Sequence, residues 1–180
     1  MAVRSSARRN IPVALVVGAL VVGSLSGCSS RSGTAAVVDG REISIAELQQ
    51  ATVEVTPYAT NATPAGVLKV LMSVGPYEAA AEKAGVAVSV ATARDALAQA
   101  AEQKFPEQTI HFGSGAIEIM RFSLIRQNLD KLTDGATVTA AAEAAVNKLD
   151  VTLNPRYGSI KDGTISPAEY PWIVAAAPAG

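Results

Sequence analysis

Hydrophobic positions recur along this chain with two different periods, and the changes of period mark where its elements begin and end. From residue 35 the pattern is short: AAVV at 35–38, an Asp39-Gly40 pair, then REIS at 41–44. Two short apolar stretches separated by Asp-Gly predict a tight β-hairpin, because both residues tolerate the left-handed backbone of a two-residue loop. From Ser44 the period lengthens. Ser44 followed by Glu47 has the spacing of a capping box. The helix it opens runs to about residue 55 and places Ile45, Leu48, Thr52 and Val55 along one side.

A second helix is capped by Thr63, with Pro64 suited to its first turn. Val67, Val70, Leu71, Val74, Tyr77 and Ala81 then recur at helical spacing, and Gly85 marks the stop. Gly75-Pro76 falls inside this pattern and predicts a kink or a break, since proline removes a ladder hydrogen bond. Residues 86–90 are apolar and β-branched. Ser89 or Thr92 starts a third helix that reaches about residue 104. Ser114, between two glycines, caps a fourth at 116–132. Its two stripes, Phe122, Ile125, Leu129 and Leu132 beside Ile117, Met120 and Leu124, demand neighbours on more than one side. A fifth, alanine-rich helix spans 137–149, and a strand at 151–153 is stopped by Asn154-Pro155. Strand-forming segments near both ends predict that 36–43 pairs with 150–154. The expected fold is mainly α: about five helices, with a small two- or three-stranded sheet joining the N- and C-terminal ends of the domain.

Upstream of this pattern the chain changes character. Arg4, Arg8 and Arg9 precede a fifteen-residue apolar run at 11–25, and the first acidic residue is Asp39. A spanning helix needs roughly 18 to 20 such residues, so the run is short for one. A basic start, a short apolar middle and small residues at its end make a secretory signal peptide. The end, Leu25-Ser26-Gly27-Cys28, resembles the lipobox of bacterial lipoproteins. That resemblance implies cleavage before Cys28, acylation of its thiol, and a mature chain held on the extracytoplasmic face of the cell membrane. The alternatives are a secreted protein with a free cysteine and an uncut signal anchor. Cys28 is the sole cysteine, so no disulfide within the chain is available.

Removing residues 1–27 leaves 153 residues, a length suited to one domain. It also takes away three arginines, leaving 12 basic against 16 acidic residues, a net charge of −4. No basic patch interleaved with aromatics points to nucleic acid. Residues 28–34, CSSRSGT, read as a flexible tether, and residues 159–180 as a disordered tail carrying Trp172.

Three segments carry a family resemblance: AVVDGREIS at 36–44, EAAAEKAGVAVS at 78–89 and VTLNPRYG at 151–158. Their order and spacing resemble the amino-terminal chaperone module of SurA/PrsA/trigger-factor-like proteins, as in small lipoproteins of high-GC Gram-positive bacteria. The likeness spans roughly residues 35–158. It implies an ATP-independent, SurA-like holdase for exported or unfolded polypeptides, with no cofactor beyond the lipid at Cys28. Larger family members carry a parvulin isomerase domain. Only 22 residues follow Gly158, and His111 is the single histidine, so the chain departs from the family there.

Little else in the sequence suggests chemistry. His111 has no convergent ligands at metal-binding spacing, and Glu78 with Glu82 reads as a solvated helix face. Gly113-Ser114-Gly115 lacks the Lys-Ser/Thr of a nucleotide loop. No nucleophile–base pair is visible, so neither catalytic nor metal residues are expected. Asn154-Pro155-Arg156-Tyr157-Gly158 reads as a strand end and turn, or as an Arg-Tyr patch beside a peptide groove. The side chains expected at a client-binding surface are Met72, Tyr77, Phe112, Met120, Arg156 and Tyr157. The physical expectation is that these helices carry more apolar surface than they cover. A scaffold lipoprotein serving one envelope partner is the alternative.

Overall fold

The computed structural model describes residues 32–161 and 164–166. The lipobox residues Leu25, Ser26, Gly27 and Cys28, and Trp172 in the tail, lie outside the described residues. Strand β1 (Thr34–Val38) turns into β2 (Arg41–Ser44) through Asp39 at φ 47° and Gly40 at φ 83°. Both residues are left-handed, which lets a two-residue loop follow the strand twist. Strand β3 (Val151–Leu153) pairs with the other edge of β1, giving an antiparallel sheet in the order β2-β1-β3. The hairpin turn is clasped to the end of β3: Asp39 N–H donates to Asp150 O at 2.8 Å, and Asp150 N–H to Asp39 Oδ1 at 2.9 Å. The two ends of the domain therefore meet in one sheet.

Two boundaries differ from the sequence expectation. Thr34, assigned to the tether, is buried in β1 and its hydroxyl donates to Glu42 Oε1 at 2.5 Å. After a 3₁₀ turn at Pro155–Tyr157, the segment expected to begin a disordered tail forms a second hairpin, β4 (Ser159–Lys161) with β5 (Thr164–Ser166). Lys161 pairs with Thr164, and the two residues between them in the sequence are again Asp-Gly, the same signal as at Asp39-Gly40.

The helices follow their caps. Helix α1 (Ile45–Val55) starts at Ser44, whose Oγ accepts from Glu47 N at 3.0 Å. Helix α2 (Pro64–Lys83) starts at Thr63, which accepts from Gly66 N at 3.1 Å. Gly85, at φ +72°, ends it: Val86 N bonds Ala81 O at 2.9 Å and Gly85 N bonds Glu82 O at 3.1 Å. This pair of bonds satisfies carbonyls the last turn would otherwise leave orphaned. Helix α3 (Val90–Lys104) is capped by Ser89 rather than Thr92, whose N–H Ser89 accepts at 3.0 Å.

Helix α2 does not break at Pro76. It runs unbroken because Leu71, Met72 and Val74 are buried before the proline, and Tyr77 and Ala81 after it. A proline inside a helix costs about 3 kcal/mol, whereas each large apolar side chain so buried contributes roughly 1.5–3 kcal/mol, and several are buried on its two sides. Helix α4 (Ser114–Leu129) also departs from expectation, with Gly113 rather than Ser114 at its cap. A distant side chain does the capping: Glu54 Oε2, on α1, accepts from Gly113 N at 2.9 Å. Helix α5 (Gly135–Val146) begins and ends a few residues earlier than its pattern suggests.

Helix α4 is the axis of the fold and packs against the other four helices. Ile125 and Leu129 are wholly buried, joined in the core by Leu48, Leu68, Leu71 and Leu97 from its neighbours and Ile43 from β2. Phe122, Met120, Leu124 and Leu132 are half-buried around that centre. Arg121 ties α4 to the join between α2 and α3: its Nε donates to Val88 O at 2.7 Å, and its guanidinium pairs with Glu78. Glu78 is thus an ion-pair partner and not a freely solvated carboxylate.

The surplus of uncovered large hydrophobics expected from the sequence is absent. Among the described residues, Val53 (73 % exposed) and Val90 (41 %) are the large apolar side chains left in solvent. Alanine accounts for the difference: Ala51, Ala93, Ala101, Ala116 and Ala142 are buried at helix contacts, where small side chains let backbones approach and larger neighbours close over them.

Candidate functional site

Helix α2 turns its residues 71–84 toward two shallow concavities that meet at Pro76 and Ala79, which line both. The first, about 380 Å³, is bounded by Val38, Arg41 and Ile43 of the hairpin, Leu71 and Met72 of α2, and Leu149. The second, about 420 Å³, lies between α2 and α5, where Ala80 and Ala84 face Val138, Ala141 and Ala145. Together they make an apolar trough with charges at its rim: Asp39 and Arg41 at one end, Lys83 and Asp134 at the other. The depth comes from alanine. Short side chains on facing helices leave space that a guest's larger side chains fill, and volumes near 400 Å³ lie in the range of ligand pockets.

A third concavity, about 390 Å³, opens where α2, α4 and α5 converge on Tyr77. The Tyr77 ring meets Phe122 edge-on at 4.8 Å, and the Arg126 guanidinium stands 5.9 Å from its centroid. The hydroxyl donates to Glu143 Oε1 at 3.4 Å. Burial pushes the phenol's pKa above its ordinary value; the Glu143 carboxylate adds to the rise and Arg126 opposes it. A fourth, polar concavity at Glu47, Gln50, Glu54 and Gly113 belongs to the capping of α4, with Gln50 Nε2 donating to Glu54 Oε1 at 2.8 Å.

The side chains expected at a client surface do not converge. Met72 (7 % exposed) and Tyr77 (3 %) are core residues that only floor the first and third concavities, a correction to their expected exposure. Both fall on the inward side of α2, facing the residues that α4, α5 and the sheet bring against it. Phe112, two residues before α4, is half-buried with its ring 6.1 Å from that of Tyr58, and Met120 is half-buried on α4 itself. Exposed Arg156 and half-buried Tyr157 form the turn after β3. His111 is exposed, and among the described residues no group of three or more His, Cys, Asp or Glu side chains is placed to hold a metal.

The residues that do form the trough, Pro76, Ala79, Ala141 and Ala145 above all, were missed in the sequence. Their signal is Pro76 with alanines at 79, 80 and 84 on one helix, and Val138 with alanines at 141, 142 and 145 on another, a three-four spacing that marks a face. Among the described residues no helix is long and apolar enough to cross a membrane. No family model, curated protein or solved structure matches this chain.

Proposed function

We propose that this chain is a membrane-anchored lipoprotein of the extracytoplasmic face that holds exported polypeptides without ATP, as a SurA-like module lacking prolyl isomerase activity. The observation that carries the reading is the pair of adjoining apolar concavities along α2, which share Pro76 and Ala79 in their walls. An extended client segment laid along it places alternate side chains into the alanine-lined hollows. Each apolar side chain so covered contributes roughly 1.5–3 kcal/mol, against several kcal/mol lost in restricting two chains. The balance is weak and reversible binding, which suits holding rather than trapping.

The test is light scattering from a chemically denatured client diluted into the mature chain carrying Cys28→Ser, beside an inert protein of equal mass. Suppression at near-stoichiometric ratio is expected, and loss of that suppression in Ala79→Leu, which fills the trough from an exposed position. Full suppression by the filled variant would remove the trough from the account. A second reading, a lipoprotein serving one envelope partner, draws on the scarcity of exposed large hydrophobics, Val53 and Val90 alone among the described residues. It predicts one saturable crosslinked complex and no suppression with generic clients.

A further inference from the structure

The geometry points to the end of the sheet carrying Asn154, Pro155, Arg156 and Tyr157 as the face that rests on the lipid bilayer, with the α2 trough turned away from it. The inference rests on Cys28 being the acylated residue. Six residue steps separate Cys28 from Thr34, the first residue of β1, so the chain spans at most about 20 Å between them. That tether ends in a fixed place. Gly33 O accepts from Ile45 N at 2.6 Å, and Thr34 is buried in the sheet. A domain of this length has a radius of gyration near 14 Å, so a tether of 20 Å keeps the point of attachment close to the headgroups.

What surrounds that point is set by β3. Asn154 N donates to Ala35 O at 2.9 Å and Asn154 Nδ2 to Thr34 O at 2.9 Å. The Pro155–Tyr157 turn is therefore bonded to the start of β1, and it presents an exposed arginine beside a half-buried tyrosine. A cationic side chain next to an aromatic one is the pairing suited to a membrane interface, where the ring sits among headgroups and the cation meets lipid phosphate. Asp39 and Asp150 close the opposite end of the same sheet, about 16 Å along β1. The trough's first hollow is lined mostly from that far end, by Val38, Asp39, Arg41 and Leu149, and reaches back along the sheet as far as Ile43, opposite Ala36. Its clients arrive from the solvent side.

The experiment uses the acylated full-length mature protein in vesicles. Acylation consumes the native thiol, so one introduced cysteine takes a fluorophore cleanly: Pro155→Cys at the near face, Lys148→Cys at the far end, both exposed. Nitroxide carried on lipid headgroups is the quencher, in vesicles of phosphatidylcholine with or without phosphatidylglycerol. Expected is quenching several times stronger at 155 than at 148. In the anionic vesicles, Arg156→Gln should lower quenching at 155, with the population of the docked state falling up to about fivefold for one cation near such a surface. Lengthening the tether by fifteen Gly/Ser residues should narrow the difference between the two labels. Equal quenching at both sites, or stronger quenching at 148, overturns the orientation. Flotation of the vesicles separates the two possible failures: a chain that does not float overturns the anchor itself, whereas one that floats with equal quenching overturns only the face.

Discussion

The α1–α4 seam and the α2–α5 seam are both lined with small residues, yet the first closes to direct contact at Gly115 and the second borders an apolar hollow. At the first, Ala51 lies against Gly115 and Ala116 so tightly that a Cβ added to Gly115 would stand 2.8 Å from the Ala51 Cβ. At the second, Ala79, Ala80 and Ala84 look across at Val138, Ala141 and Ala145 over a hollow of about 420 Å³. What faces each small residue explains the contrast. At Gly115 the missing side chain lets the Ala51 Cβ reach α4, while Glu47, Gln50 and Glu54 line the polar concavity beside that contact. At the α2–α5 seam alanines face other side chains across the gap, and alanine is too short to fill the hollow between them.

The comparison is broken most directly at Gly115. Gly115→Leu should destabilise the fold by about 3 kcal/mol, because no neighbouring side chain can move aside for it. A melting temperature lowered by about 10 °C reads this out, and pairing Gly115→Ala with Ala51→Gly should recover most of the milder loss caused by Gly115→Ala alone. A melting temperature unchanged in Gly115→Leu would mean that the closed seam is not tight. Next in size is Arg121→Ala, which strands Glu78 and the Val88 carbonyl on α4's other flank. About 2 kcal/mol is expected from denaturant titration, with Arg121→Lys recovering part of it, since an ammonium keeps the charge but not the fork.

The open seam should respond in the opposite sense. Ala79→Leu adds bulk to an exposed position with room before it, so its stability should move by less than about 1 kcal/mol while client suppression is lost. A destabilisation as large as that of Gly115→Leu would show that the two seams are alike after all. The smallest effect concerns Tyr77, whose hydroxyl reaches Glu143 of α5. Its folded-state pKa is raised, first by burial and then by Glu143, so the folded protein keeps this proton to a higher pH than the unfolded chain does. The stability that follows is fully present below about pH 10 and is lost as the pH climbs toward the folded pKa, at no more than about 1.4 kcal/mol per pH unit. Melting temperatures from pH 9 to 11.5 should fall more steeply for the wild-type chain than for Tyr77→Phe. Parallel curves would show that the phenol titrates alike in both states.

Local signals were legible where the cause was local. Asp39-Gly40 named its turn, Ser44, Thr63 and Ser89 named three helix starts, and Gly85 named a helix end, because each acts within four residues of itself. Asp162-Gly163 carries the same signal between Lys161 of β4 and Thr164 of β5, although the small and polar residues around it read as tail. Signals whose outcome depends on distant partners misled. Pro76 announces a break that packing on both sides overrides, and Ser114 announces a cap whose work is done by Glu54, sixty residues earlier. The site was less legible still. Met72 and Tyr77 were singled out for what their side chains can do, but a side chain's chemistry does not tell which way its helix faces.

The sequence by itself determined the elements and their order, because turn chemistry, caps and hydrophobic period are short-range properties of the chain; strand-forming segments near both ends announced the pairing of 36–38 with 151–153, but its register is a tertiary fact. Only the tertiary structure decided which small residues would be buried and which would floor a trough. That choice depends on what faces each small residue across its seam: the side chains of α5 at one, and at the other the absence of any side chain on Gly115.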